Sequence, residues 1–84
     1  MADQAQEIAG LVDCVTRPLV EFPDDLEVTS SLLDDGTIMV EIRCNEADTG
    51  KIIGRQGRVI KSVRTRARAA ASRNDARVEV EIIE

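Results

Sequence analysis

Three times along the chain the apolar residues change their spacing, and this constrains the fold more than any other feature. Ile8, Leu11, Val12, Val15 and Leu19 recur three or four residues apart, which makes one stripe of an amphipathic helix over Asp3 to Arg17. Asp3 and Glu7 stand near its start and Arg17 near its end, each suited to the helix dipole. Pro18 has no amide hydrogen to donate, so the helix ends or kinks there, and Glu21-Phe22-Pro23-Asp24-Asp25 has turn composition. From Leu26 the period is two. Leu26, Val28, Ser30 and Leu32 alternate with Glu27, Thr29 and Ser31, and then Ile38, Val40, Ile42 and Cys44 with Met39, Glu41 and Arg43. Asp34-Asp35-Gly36-Thr37 between them reads as a hairpin turn. The pair is therefore antiparallel, with one packed face and one wet face.

After Cys44 the helical period returns. Asn45 is a good N-cap for a short helix from Glu46 to Ile53, with Asp48 at its third position. A longer helix follows from Arg58 to Arg73, with Val59, Ile60, Val63, Ala67, Ala70 and Ala71 on one side. Arg58, Lys61, Thr65 and Arg68 stand on the other side, flanked by Arg64, Arg66 and Arg73. Asn74-Asp75 turns the chain, and Val78, Val80 and Ile82 alternate with Glu79, Glu81 and Ile83 in a last strand. A strand-helix-helix-strand return into one sheet is a right-handed parallel crossover. The expectation is an α+β fold of order α-β-β-α-α-β: one domain over residues 1–84, a three-stranded mixed sheet with three helices on one face.

Phe22 is the sole aromatic, so the core must be aliphatic and nucleic-acid binding cannot rest on stacking platforms. Cys14 and Cys44 have no CxxC spacing and no histidine to join them, which reads as buried free thiols in a reducing compartment. The start of the chain has no signal-peptide pattern, and no apolar run reaches the ~20 residues of a membrane span. A soluble, cytoplasmic protein is expected. The absence of histidine, of a nucleophile–base spacing and of a metal-ligand cluster argues against an enzyme, a cofactor or a metal. Asp24-Asp25 and Asp34-Asp35 read as turn residues, and Glu41, Glu79 and Glu81 as solubilising charges on the open sheet face.

Charge is unevenly divided. Lys51 to Arg68 holds seven basic side chains and no acidic one, in a chain of net charge −5, so the remainder carries −12. Within this stretch Gly54-Arg55-Gln56-Gly57 sets two glycines around two polar residues, between two helices. Glycine reaches positive φ and lets the backbone approach a ligand. The first amides of the next helix point outward and favour an anion, and Arg55 adds positive charge at the loop tip. Ile52, Ile53 and the inner side of the helix from Val59 make an aliphatic shelf beside it. A nucleotide chain fits such a site, its backbone on the loop and its bases on the shelf. The dinucleotide fingerprint requires glycine where Ile52 stands, and the ATPase phosphate loop requires a hydroxyl residue after Gly50-Lys51, where Ile52 stands.

Ile52-Ile53-Gly54-Arg55-Gln56-Gly57-Arg58-Val59-Ile60-Lys61 resembles the signature of the KH domain, an aliphatic pair, GxxG, two variable residues, an aliphatic and a basic residue. The element order resembles the type II, bacterial arrangement, and the length resembles the small single-KH bacterial RNA-binding proteins of the KhpA family. The resemblance implies a loop that clamps the backbone of about four single-stranded nucleotides. Carried onto this chain, Gly54 and Gly57 shape the loop and Arg55 and Gln56 contact phosphates. Ile52, Ile53, Val59 and Ile60 line or support the groove, and Lys51, Arg58, Lys61 and Arg64 extend the cationic edge. It also implies homodimerisation or pairing with a KhpB-like KH protein, action as an RNA chaperone or post-transcriptional regulator, and links to cell elongation and cell-wall synthesis.

Blander readings stand beside these. The arginine-rich helix alone reads as a solvated face, and Ile52, Ile53 and Ile60 read equally as core residues. The alternative function is a protein-interaction or dimerisation module in which RNA binding is secondary.

Overall fold

The computed structural model describes residues 2–83, with side chains described from Gln4 to Ile83, so the charge expected at Asp3 lies outside the described residues. The expected order is present: α1 (Ala2–Thr16), β1 (Glu27–Leu32), β2 (Ile38–Arg43), α2 (Thr49–Ile53), α3 (Arg58–Ser72) and β3 (Val78–Ile83). Strand β2 is central. It pairs antiparallel with β1, from Glu27 opposite Arg43 to Leu32 opposite Ile38, and parallel with β3, from Ile38 beside Val78 to Arg43 beside Ile83. The three helices cover one face of this mixed sheet, and Ile8, Val12, Ile38, Val40, Ile42, Ile52, Val63 and Ala67 are all buried in one aliphatic cluster between them. Ala67 and Ala71 have no exposed surface, so small side chains let α3 lie close against its neighbours.

Several elements end sooner than their apolar pattern suggested, for local reasons. Helix α1 gives way to a 3-10 turn over Arg17–Leu19, with Pro18 inside it. Thr16, buried, donates its hydroxyl hydrogen to the Val12 carbonyl at 2.8 Å. Arg17 donates to both carboxylate oxygens of Asp13, at 2.8 and 2.9 Å, and to the Pro23 carbonyl at 3.0 Å. That fork, more by its hydrogen bonds than by its charge, holds the Asp13 carboxyl below the usual carboxylate range. Leu19, counted as the end of the apolar stripe, is exposed because the helical register has already been broken. At the far end of β1, Leu32 is exposed although its alternation placed it inward, since it sits beside the hairpin.

The hairpin itself forms as expected. Gly36 adopts φ +88° and donates its amide to the Leu33 carbonyl. Asp35 accepts the Thr37 amide at 2.9 Å, which lowers its own pKa. The thiols do not follow the buried reading. Cys14 is exposed on α1 and Cys44 is half-buried, and both are free. Cys14 precedes the break at Thr16 on the solvent side of α1, while Cys44 lies beyond the last paired residue of β2.

Candidate nucleic-acid interface

The start of the site is fixed by Asn45 and Asp48. Asn45 accepts the Ala47 amide at 2.8 Å, as an N-terminal cap does. The cap opens a 3-10 turn over Glu46–Asp48 rather than an α-helix, and α2 begins only at Thr49. Asp48 is fully buried. Its two carboxylate oxygens accept the backbone amides of Glu21 and Phe22, at 2.9 and 3.0 Å, and tie the loop after α1 to the start of α2. Burial pushes the Asp48 pKa up, yet the two amides and the nearby Lys51 ammonium outweigh this and hold it below the ordinary value. The role of Asp48 was not legible in the sequence, because its partners lie 27 and 26 residues away.

Lys51 is drawn into the same constellation, 3.5 Å from Asp48 and 3.7 Å from Glu21. On a helix it stands roughly 200° from Ile53, so the lysine and the exposed isoleucine leave α2 on opposite flanks. Ile52, between them, is core.

Two different constraints select the glycines of the loop. Gly54 has φ +78° and ψ +168°, and its Cα lies so close to α3 that an added Cβ would stand 2.8 Å from both Val59 Cβ and Val59 N, and nearer still to Val59 Cγ2. Gly57 is left-handed at φ +74°, ψ +15°, but a Cβ there would meet nothing nearer than 3.9 Å. Gly54 is demanded by packing and conformation, Gly57 by conformation alone. Between them Gln56 is also left-handed, at φ +59°. The Gly57 amide donates to the Gly54 carbonyl at 3.1 Å, closing a 3-10 turn over Arg55–Gly57 that presents Arg55 and Gln56 to solvent.

This turn delivers the chain straight into α3. The first four amides of an α-helix have no intrahelical acceptor. Here the N-cap is Gly57, no side chain caps the helix, and no acidic residue lies in the first turn. The Arg58 amide is taken by the Arg55 carbonyl, and the Lys61 amide makes the first intrahelical bond, to the carbonyl of the N-cap Gly57. The amides of Val59 and Ile60 are left without an intrahelical acceptor, with the positive end of a four-turn helix dipole behind them. Arg58 and Lys61 are exposed on the same turn, and Val59 is half-buried.

Beside the loop runs an open groove of about 360 Å³ lined by Ile53, Ile60, Arg64, Glu81 and Ile82. Ile53 is exposed, whereas Ile60 is largely buried and contributes only an edge. Arg64 donates its Nε hydrogen to the Val80 carbonyl at 3.2 Å, which satisfies one oxygen on the free side of edge strand β3. The structure thus brings Ile53, Gly54, Arg55, Gln56, Gly57, Arg58, Val59, Ile60, Lys61 and Arg64 into one surface region. It places Ile52 beneath that surface and Lys51 on the other flank of α2.

The opposite face of the sheet is acidic. Glu27, Glu41, Glu79 and Glu81 alternate outward on the three strands with Arg43, whose guanidinium lies 4.0 Å from Glu41. A polyanion is therefore attracted to the loop and α3 and repelled from the open sheet. Among the described residues no group of acidic or cysteine side chains is arranged to hold a metal ion, and no helix is long and apolar enough to cross a membrane.

Comparison with known proteins bears on this arrangement. Residues 9–82 match the family model for the KH domain of KhpA and KhpB. The chain is 40% identical over 73 residues to the RNA-binding protein KhpA of Clostridium perfringens, covering 87% of this chain and 96% of that protein. It is 35% identical over 79 residues to the protein of the same name from Bacillus subtilis, covering 94% and 96%. Among solved structures, Aquifex aeolicus Era bound to GDP·AlF4 superposes with a TM-score of 0.60 at 22% identity. Era in complex with MgGDPNP and nucleotides 1506–1542 of 16S ribosomal RNA gives the same score and identity. Both likenesses concern the fold, and span 90% of this chain but only 30% of the Era chain.

Proposed function

The chain belongs to the KhpA/KhpB KH-domain family, and from that premise we propose that it binds single-stranded RNA, with the Gly54–Gly57 loop on the RNA backbone and the bases over the adjoining groove. The observation that carries the proposal is the uncapped start of α3. Outward amides, a glycine N-cap and no acid in the first turn make an anion site, and a shelf of Ile53, Ile60 and Ile82 lies beside it. Arg55 and Gln56 at the turn, with Arg58 and Lys61 behind them, supply phosphate contacts. Arg64 belongs to the groove, and Ile52 and Val59 support it from below. Lys51 adds to the local positive potential, but its ion pairs with Asp48 and Glu21 make it a weaker phosphate ligand than Arg55.

An Arg55→Asp, Gln56→Asp double variant tests this. Asp tolerates the left-handed conformation at position 56 at least as well as Gln, so the fold should stand and its circular dichroism remain that of the wild type. RNA binding should be lost. In the wild type, log affinity should fall with log salt at about −0.7 per phosphate contact. Undiminished binding by the folded double variant would overturn the assignment.

The same family relation supports finer readings. The protein pairs with itself or with a KhpB-like KH protein, acts as an RNA chaperone or post-transcriptional regulator in the cytoplasm, and takes part in cell elongation and cell-wall synthesis. Light scattering over a concentration series tests the first of these. Capture of partners with and without nuclease separates pairing from RNA bridging, and thereby distinguishes this function from a pure protein-interaction module.

A further inference from the structure

We infer that the free edge of β1 is a docking site for an extended peptide strand of another protein, one with apolar side chains at alternate positions and basic residues at both ends. This surface is separate from the RNA site and does not depend on it. The two edges of the sheet are unlike. On β3 the Val80 carbonyl is taken by the Arg64 guanidinium of α3 at 3.2 Å. The outer edge of β1 has no such cover, and among the described residues no loop backbone pairs with it. Proteins commonly blunt such an edge with lysine, proline, a bulge or an inward-pointing charge. Glu27-Val28-Thr29-Ser30-Ser31-Leu32 has no lysine or proline, its pairing with β2 runs unbroken, and its inward positions are Val28, Ser30 and Leu32.

Two places beside this edge fit the side chains of an added strand. An open crevice of about 340 Å³ lies between α1 and β1, lined by Gln6, Ala9, Gly10, Asp13, Val28 and Ser30. Gly10 widens it, since a Cβ there would meet nothing within 4 Å. Asp13 leaves it neutral, because Arg17 holds both carboxylate oxygens. Further along, Leu32 faces inward opposite buried Ile38 yet is 50% exposed. Successive inward side chains of an added strand would fill the crevice and cover Leu32, while its backbone pairs with the free groups of β1.

Charge selects the occupant. Asp24, Asp25 and Glu27 stand at the start of β1, and Asp34 and Asp35 just past its end. Cations nearby are fewer. Arg17, which Asp13 already holds, and Arg43 lie at the first end, and Arg77 at the second. A second copy pairing antiparallel about a two-fold axis would bring the first acidic cluster of each chain to the second of its partner. Basic residues at both ends of a peptide meet attraction there instead.

The probe is the peptide Lys-Lys-Val-Thr-Val-Thr-Val-Lys-Lys, acetylated and amidated, with a glutamate-flanked counterpart as control. Hydrogen exchange of isotope-labelled protein reads the β1 amides that face away from β2. Saturating peptide should slow them by about tenfold, the size of one hydrogen bond gained, and should shift the amides of Ala9, Gly10 and Leu32. The glutamate-flanked peptide should bind at least about tenfold more weakly. Ser30→Lys sets an inward charge on the edge and should abolish binding. Gly10→Leu favours the helix but fills the crevice, and should weaken binding by about tenfold. Should Ser30→Lys fail to fold, Gly10→Leu decides. Absence of binding by the wild type, undiminished binding by the folded variants, equal binding of the glutamate-flanked peptide, or shifts confined to the open sheet face would overturn the inference. So would protection of the β1 amides by self-association without peptide, which would assign the edge to a second copy.

Discussion

Alanine at the two loop glycines should have very different costs. At Gly57 the added methyl enters open space, and the penalty is that of holding a non-glycine residue in the left-handed region, about 1–2 kcal/mol. At Gly54 two penalties combine. The pair φ +78°, ψ +168° lies in a region essentially reserved for glycine, costing about 1–3 kcal/mol. The methyl also arrives 2.8 Å from Val59 Cβ and N, and forcing atoms into occupied space costs about another 1–3 kcal/mol. Gly54→Ala should therefore lose about 4 kcal/mol, a large share of the roughly 5–15 kcal/mol by which a domain is stable. Urea unfolding followed by circular dichroism measures both variants. Adding Val59→Ala to Gly54→Ala removes the clash with Cγ2 but not those with Cβ and the backbone nitrogen, so it should recover less than half of the loss. A Gly54→Ala protein as stable as Gly57→Ala would refute the distinction between a glycine chosen for close approach and one chosen for conformation.

Other outcomes follow from particular groups. Asp48 has a lowered pKa in the folded state, so its contribution is fully present above the unfolded value of about 3.9 and is lost as pH falls through the lower folded value. The stability gap between wild type and Asp48→Asn, from urea midpoints, should thus be constant above pH 5 and narrow steadily in more acid solution. Asp75, left-handed at φ +56°, stands where α3 ends in a Schellman-type turn, the Ala76 amide reaching the Ala71 carbonyl at 3.0 Å. Asp75→Gly relieves that strain and gives back part of the gain as unfolded-chain entropy. A rise in melting temperature of about 2–4 °C is expected, for about 0.5 kcal/mol, and a fall would contradict it.

The sequence revealed what depends on neighbours three or four residues away, or two along a strand. The alternation in Ile38–Arg43 announced the central strand, with Ile38, Val40 and Ile42 all buried. The stripe Ile60, Val63, Ala67 and Ala71 announced the inner face of α3. GxxG between two helical patterns located the loop, since positive φ leaves a compositional mark. Contacts made across the chain left no such mark. The Asp48 carboxylate looked like a helix-start residue and proved to be a buried acceptor for the Glu21 and Phe22 amides. Leu19 and Leu32 fit their apolar periods but lie where the helix or the strand has run past the core.

The central claim is that RNA is held at the turn and first amides of α3. An amide-resolved NMR titration of the protein with a single-stranded octamer tests it most directly. The largest shifts should fall on Gly54 to Lys61, weaker ones on Ile53, Arg64 and Ile82, and little change should appear on the open sheet face at Thr29, Glu41 and Glu79. Shifts concentrated on that sheet face, with the amides from Gly54 to Lys61 unmoved, would contradict the account.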